Sequence, residues 1–433
     1  MPRDATRSWL IGLLAGLVLA ASAPAAELPS ELYLGGFVSQ GYLNTEDNDY
    51  LLAEASDGSG EFNEAAVIVA AEPTDRLHVG IQLLGRDFGR EESPSVVVDW
   101  AYGDFRWRDQ LGFRAGKIKL PYGLYNQARD VDMLRTAVLL PQSVYAEQDR
   151  ELLIAYEGMG LYGNLLLGGW GDLDYELAAG SLNVPQSGHA EIARAIGQAA
   201  AASREAVATA TAALYGLQAD SSSAEVAMIQ DANLSVPWIL GGSLIWNTPV
   251  TGLRLGTTHL VGDAEVDGRV RYDVLLRDGS TVPAHVPRTL PVDEDLDLRT
   301  VMTASLEYQR DAWTLASEIS RMRFGDISSL GWYASLGWRA SERWALQTYW
   351  STYYPDHDDR DGASFRAAGL PGHYAWQHDL ALAVRLDLSA HWLLKFEYHQ
   401  MNGAALVDRG ELSPGEIATE HWRVWTAKTT FHF

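Results

Sequence analysis

The stretch LGFRAGKIKLPYGLYNQARDVDMLRTAVLLPQSVYAEQDRELLIA (111–155) sets opposed charges into an apolar run. Lys117, Lys119, Arg129 and Arg135 stand near Asp130, Asp132, Glu147, Asp149 and Arg150, while Leu134, Val138, Leu139, Leu140 and Val144 need a surface to pack on. The chemistry open to such a set is electrostatic rather than covalent. Cations and carboxylates facing each other across a narrow aqueous gap create a transverse field that orients dipolar solutes. A plainer arrangement uses the same residues: they pair with one another or with a wall and pin the segment, the cheaper state for charges that lose water. The two arrangements can hold for different residues. Arg114, on the alternate parity from Phe113, is a further candidate for the wet side.

Other chemistry is weakly supported. PDHDDRDG (355–362) invites a calcium reading, but the loop spacing would place His357 at its first position and no Glu at the last. His373 and His378 flank YAWQ with no third ligand beside them. There is no G-x-S-x-G elbow and no glycine-rich phosphate loop before a helix. No cofactor and no metal are expected.

The elements that would hold these charges are β-strands. Segments of about ten residues alternate apolar and polar with period two through most of the chain. Leu330, Trp332, Ala334, Leu336 and Trp338 share one parity, and Gly331, Tyr333, Ser335, Gly337 and Arg339 the other. Leu380, Leu382, Val384 and Leu386 oppose Asp379, Arg385 and Asp387; Trp392, Leu394, Phe396 and Tyr398 oppose Lys395, Glu397 and His399. In RTVMTASLEYQ, Met302, Ala304, Leu306 and Tyr308 oppose Glu307. Apolar faces begin or end in aromatic residues, and the opposite faces carry full charges. A barrel in a membrane needs both features: a lipid-facing band with aromatic girdles and a wet interior. Glu307, Arg339, Arg385, Lys395 and Glu397 are therefore lumen candidates, with Glu318, Asp379 and Lys428.

About sixteen such segments follow one another, with about seven short turns alternating with longer loops. The expected long connections include 120–155, 183–236 and 264–298. The faces of the first strand, ELYLGGFVSQGYL, stay unassigned, and VVVDWAYGDFRW switches faces after Tyr102, which calls for a bulge. An alanine-rich insertion over 187–232, helical across 189–218, reads as an excursion on the outer surface or as a helix over or inside the mouth. The last strand, HWRVWTAKTTFHF, is expected to pair with the first.

Composition agrees. The chain of 433 residues has 15 Trp, 19 Tyr, 40 Gly and no Cys, with a formal net charge of -24. That charge argues against nucleic acid as a partner. Residues 1–25 read as a signal peptide, with WLIGLLAGLVLAA as its apolar core and an A-x-A site at Ala23-Pro24-Ala25; a single N-terminal membrane anchor is the lesser alternative.

Strand number, loop alternation and the aromatic last strand resemble the sixteen-stranded porins of Gram-negative outer membranes, across 26–433. TAKTTFHF is similar to the terminal signature by which outer-membrane proteins are recognised for assembly. The resemblance implies an all-β, transmembrane antiparallel barrel whose third external loop, here 120–155, folds inward as a constriction. The charges of the segment itself, Lys117, Lys119, Arg129, Asp130, Asp132 and Arg135, are then the candidates for that constriction. The resemblance also implies a homotrimer in the cell outer membrane, in contact with lipid and lipopolysaccharide, passing small hydrophilic solutes. The acidic PEFGG motif of general porins is absent, and no long basic ladder is visible along the sequence. The expected function is passive diffusion and not catalysis; the rivals are an outer-membrane barrel hydrolase acting on lipid or lipopolysaccharide, and a plugged surface receptor or adhesin.

Overall fold

The computed structural model describes residues 32–52, 55–88, 95–184, 186–218, 222–277, 284–408, 412 and 416–433. The proposed signal peptide lies outside the described residues. Sixteen antiparallel strands form one closed barrel, each paired with its neighbours in sequence and the last with the first. They are β1 (Leu32–Thr45), β2 (Ser59–Thr74), β3 (Leu77–Asp87), β4 (Ser95–Arg108), β5 (Leu111–Lys119), β6 (Ala155–Leu166), β7 (Asp172–Leu182) and β8 (Ser222–Asn247). The circuit continues through β9 (Leu253–Leu276), β10 (Ala284–Arg310), β11 (Trp313–Phe324), β12 (Ile327–Arg339), β13 (Trp344–Tyr354), β14 (Gln377–Asp387), β15 (Trp392–Gly403) and β16 (His421–His432). Closure is completed at the chain end, where Phe433 and Gly36 exchange two backbone hydrogen bonds of 3.1 Å. Among the described residues the spanning wall has no open edge, so its backbone donors, bulges apart, meet a strand partner.

The alternation maps onto two faces. Leu336, Leu382, Phe396 and Trp425 are exposed on the outer wall, while Ser335, Ala381, Ala383, Glu397 and Thr426 are buried on the inner side. Near the short turns the outer wall carries Trp313, Trp338, Trp344, Trp392 and Phe431, and nearer the loops Tyr42, Trp350 and Trp425. These are the two interfacial belts of a membrane barrel. On β1 the structure sets Phe37, Ser39 and Leu43 inward and Val38 and Tyr42 outward.

The bulge expected after Tyr102 sits earlier. Register on β3 jumps between Gln82, opposite Trp100, and Leu83, opposite Val98, so Asp99 is the extra residue. Val96 and Val98 face out before it and Phe105 and Trp107 after it, which moves the outward parity from even to odd.

A larger correction concerns β8, β9 and β10. Segments expected as loops, 222–236, 264–276 and 284–298, belong to these strands, which run to 26, 24 and 27 residues. At about 3.3 Å per residue they extend far beyond a bilayer crossing. Helix α1 (Gln186–Leu214) packs along β8 and β9, so the alanine-rich insertion is helical only to Leu214 and its expected end, 222–232, is strand. Gly216, at φ 71, lies just past the helix in the left-handed conformation that ends helices. Ile196, Ala200, Ala208 and Ala212 of α1 meet Val266, Val270, Tyr272 and Val274 of β9. Those even positions continue the parity of Thr258 and Leu260, which face the lumen, so α1 lies on the axis side of the extension, above the barrel mouth.

Candidate functional site

Strand register assembles a feature that the linear sequence hides. Arg339 on β12 opposes Ala345 on β13, Ala345 opposes Arg385 on β14, Arg385 opposes Lys395 on β15, and Lys395 opposes Lys428 on β16. Four cations thus share one level of the inner wall across five neighbouring strands. No local spacing reveals this row, because its members are separated by whole hairpins.

The segment 120–155 enters the barrel and its tip docks in that row. Lys395 is fully buried; its Nζ donates to the Asp132 carboxylate at 2.9 Å and to the carbonyls of Asp132 (2.7 Å) and Ala137 (3.0 Å). Thr430 adds a hydrogen bond to Asp132 at 2.6 Å, and Lys428 and Arg135 each lie 3.5 Å from its carboxylate. Burial alone pushes the Asp132 carboxyl up, but Lys395, Lys428 and Arg135 outweigh it and hold the group well below the carboxylate range. Arg385 reaches the carbonyl of Arg135 at 3.2 Å while bound to Asp387 at 2.7 Å. Glu397 accepts the amides of Val138 (2.6 Å) and Leu139 (3.0 Å).

The same segment is held at other walls. Glu318 on β11 accepts from the Leu124 amide (2.8 Å), the Tyr145 hydroxyl (2.5 Å), Ser305 (2.6 Å) and Tyr333 (2.7 Å). Tyr125 donates to Glu307 at 3.1 Å, and Glu307 pairs with Arg254 at 2.9 Å. Ser143 lies against β12 at Gly331, where a Cβ would come within 1.7 Å of its carbonyl oxygen. On the opposite side, the bulged Asp99 receives Arg150 at 2.7 Å, and Lys119 pairs with Asp130. Arg129 is buried, bonded to the carbonyls of Tyr145 (2.8 Å) and Ala146 (2.6 Å) and to Glu147 (3.1 Å), which also takes Arg86 at 2.7 Å. Burial raises the Glu147 carboxyl, yet Arg129, Arg86 and Arg150 together hold it well below its ordinary value. Leu120, Tyr122, Leu140, Val144 and Leu153 pack on Val236, Ile239, Leu260 and Val301 of the wall.

The expected site residues thus divide. Lys119, Arg129, Asp130, Asp132 and Arg135 come together in or beside the inward segment. Lys117 does not: it opposes Glu157, on the outward parity of Met159 and Leu161, and its Nζ is bonded to the Val98 carbonyl at 2.7 Å. Arg114 faces inward between Asp104 (2.9 Å) and Glu176 (3.2 Å). Arg339 stays about half exposed near the short turns, 3.2 Å from Asp387. Sequence reasoning missed Glu64, Arg86, Asp99 and Gln82, four wall groups that complete these pairs; Asp99 alone left a trace, in the parity break.

No protein-family model matches the chain, and no curated protein matches it. Two solved structures overlay nearly end to end. The anion-selective porin from Comamonas acidovorans is 11% identical, with 93% of this chain and 99% of that one covered at a TM-score of 0.50. OmpF of Salmonella typhi, in complex with daunomycin, is 9% identical over 94% and 98% of the chains, at 0.52. The barrel is a porin fold. At such identities the likeness is one of architecture, and the pairs described above belong to this chain's own sequence.

Proposed function

We propose that this chain is an outer-membrane porin, not an enzyme, which lets small hydrophilic solutes diffuse passively past the inward segment 120–155. The observation that carries the reading is the combination of a closed wall, apolar outside and charged inside, with a long loop held within it by wall residues from β2 through β16. Residues 1–25 would direct export, and the mature chain would sit in the outer membrane among lipid and lipopolysaccharide as a homotrimer, as the resemblance to porins suggests.

Most charges of the segment are paired, which favours a pinning role for Lys119, Arg129, Asp130 and Asp132. Arg254 and Arg339, each still partly exposed, and the side chain of Leu134 are among the described groups left in reach of a passing solute on the short-turn side. Transport through this space is tested by purified protein in planar bilayers. Stepwise conductance with an ohmic current supports the proposal; esterase activity without conductance defeats it in favour of a barrel hydrolase. The placement of α1 on the axis side of the extension favours a canopy over the mouth rather than a plug in the lumen, so deleting it should alter conductance only modestly.

A further inference from the structure

Beside the basic row, the inner wall of β13 to β15 buries a second ionisable cluster, centred on His399. Ala381 of β14 opposes both Tyr349 of β13 and His399 of β15, and so small a residue leaves room there for an imidazole. His399 is fully buried, and its ring turns one nitrogen to each of two carboxylates. Nδ1 lies 3.0 and 3.1 Å from the two oxygens of Asp379, and Nε2 lies 3.4 Å from Oε1 of Glu397. Tyr349 meets the ring edge-on, centres 6.1 Å apart, and Tyr50 of the first loop lies near Tyr349. From the other side β16 sets Val424 and Thr426 opposite His399 and Glu397, and neither titrates.

Glu397 divides its two oxygens. Oε2 takes the amides of Val138 and Leu139, at the tip of the inward segment, while Oε1 faces His399. Among the described residues no other cation pairs with Glu397 or with Asp379. Met401, Leu406 and Trp422 pack with Val138 and Leu139, so the cluster lies under an apolar cover. A neutral imidazole has one N–H. It serves one carboxylate and turns a lone pair to the other, whereas an imidazolium donates to both. Two carboxylates in one buried space also repel unless a cation lies between them. Both requirements are met by one species, the doubly protonated ring.

We propose that His399 is a positioning residue for the tip: as an imidazolium between Asp379 and Glu397 it keeps Glu397 ionised and aimed at the Val138 and Leu139 amides. The tip is thus latched by a proton. Linkage gives the latch a direction. It is complete wherever the ring is charged and is lost as pH rises through deprotonation of the ring, when Glu397 faces a lone pair and either turns away or takes up a proton. The latch acts on the segment whether or not solutes pass beside it.

The test uses the full-length protein in lipid nanodiscs and reads hydrogen exchange on the peptide containing Val138 and Leu139, corrected for intrinsic base catalysis. In wild type, protection should fall about tenfold from neutral to alkaline buffer, the effect of losing a charged acceptor. The peptide containing Leu124, held by Glu318, should change little. No fall in wild type overturns the proposal without any variant having to fold. His399→Gln should show the low protection already in neutral buffer, and wild-type protection there overturns the proposal as well. His399→Lys supplies a cation of different shape that keeps its proton to higher pH than an imidazole, so it should stay protected where wild type does not. A packing role alone predicts Lys to be no better than Gln, and that result refutes the latch. An alkaline fall that persists in His399→Lys belongs to another group at the tip, Lys395 foremost, and also refutes it. Solid-state nitrogen spectra of isotope-labelled histidine read the ring itself. The signal lost in His399→Gln should be that of an imidazolium in neutral buffer, and a neutral-ring signature overturns the proposal.

Discussion

Glu318 offers the sharpest perturbation of the inward segment. One carboxylate takes four donors there, from Leu124, Tyr145, Ser305 and Tyr333, at 2.5–2.8 Å. Glu318→Gln keeps the volume but replaces one acceptor oxygen by a donating NH₂, so two of the four donors lose their acceptor. Each oxygen serves one segment donor and one wall donor, so a single segment bond goes with either; a hydrogen bond to a charged group contributes about 1.5–3 kcal/mol, and about 2 kcal/mol of anchorage should be lost. Only Leu124 and Tyr145 belong to the segment; Ser305 and Tyr333 are wall residues and stay with the barrel. Detachment of the 122–125 stretch should therefore become about thirtyfold more frequent. Hydrogen exchange read on the peptide containing Leu124 should accelerate by that factor, with peptides of β11 and β12 little changed. Single-channel records of the variant should gain current noise. An unchanged exchange rate at Leu124, in a barrel that folds normally, would refute the view that Glu318 holds this part of the segment.

Lys395→Met should cost about 3–5 kcal/mol, because it leaves Asp132 buried without its nearest cation, and adding Asp132→Leu should restore part of the loss; the midpoint of heat-induced unfolding on gels measures both. The pH dependence has a definite sign. The carboxyls of Asp132 and Glu147 are depressed in the folded barrel, so their stabilisation is full above the ordinary carboxylate pKa and is lost only as pH falls through the lower folded values. Conductance should therefore stay level from neutral to mildly acidic buffer and change only in strong acid; a transition near pH 6 would contradict this pairing. Leu382→Arg, at the centre of β14 on the lipid-facing wall, should destabilise insertion into vesicles by about 2–4 kcal/mol. Arg339→Gln should shift the reversal potential in a salt gradient toward cations without changing exchange at Leu124, whereas an unmoved potential places Arg339 off the solute path.

Much of the barrel was legible because period two is a local property, and Leu382 against Arg385, or Phe396 against Lys395, can be read without knowing a neighbour. The length of β9 was also present in VRYDVLL, where Val270, Tyr272 and Val274 alternate with Arg271 and Asp273. It was masked by the acidic run VDEDLDL and by Pro287 and Pro291 on β10, which read as loop. Those prolines sit where β10 has left β11, with which pairing begins at Thr300, and a proline at a free edge costs no ladder hydrogen bond. Lys117 was misplaced for the opposite reason. Nearness in sequence to the inward segment suggested the lumen, but parity on β5 sends its side chain outward. The basic row of Arg339, Arg385, Lys395 and Lys428 could not be read at all, since it exists only once register is set.

That row explains how a segment with so many charges can be held inside a barrel. A buried carboxylate without a cation is costly, and so is a row of like charges brought to one level. Each problem removes the other when Asp132 enters between Lys395 and Lys428 and Glu64 takes Lys428 from the far side. The pairing works only in one position of the tip, because a shift of a single residue would move Asp132 out of reach of Lys395 and place Met133 there instead. Hydrophobic packing against Leu260 and Val301 would tolerate such a slip; the ion pairs would not. The apolar residues of 120–155 thus supply adhesion to the wall, and its charges supply the register.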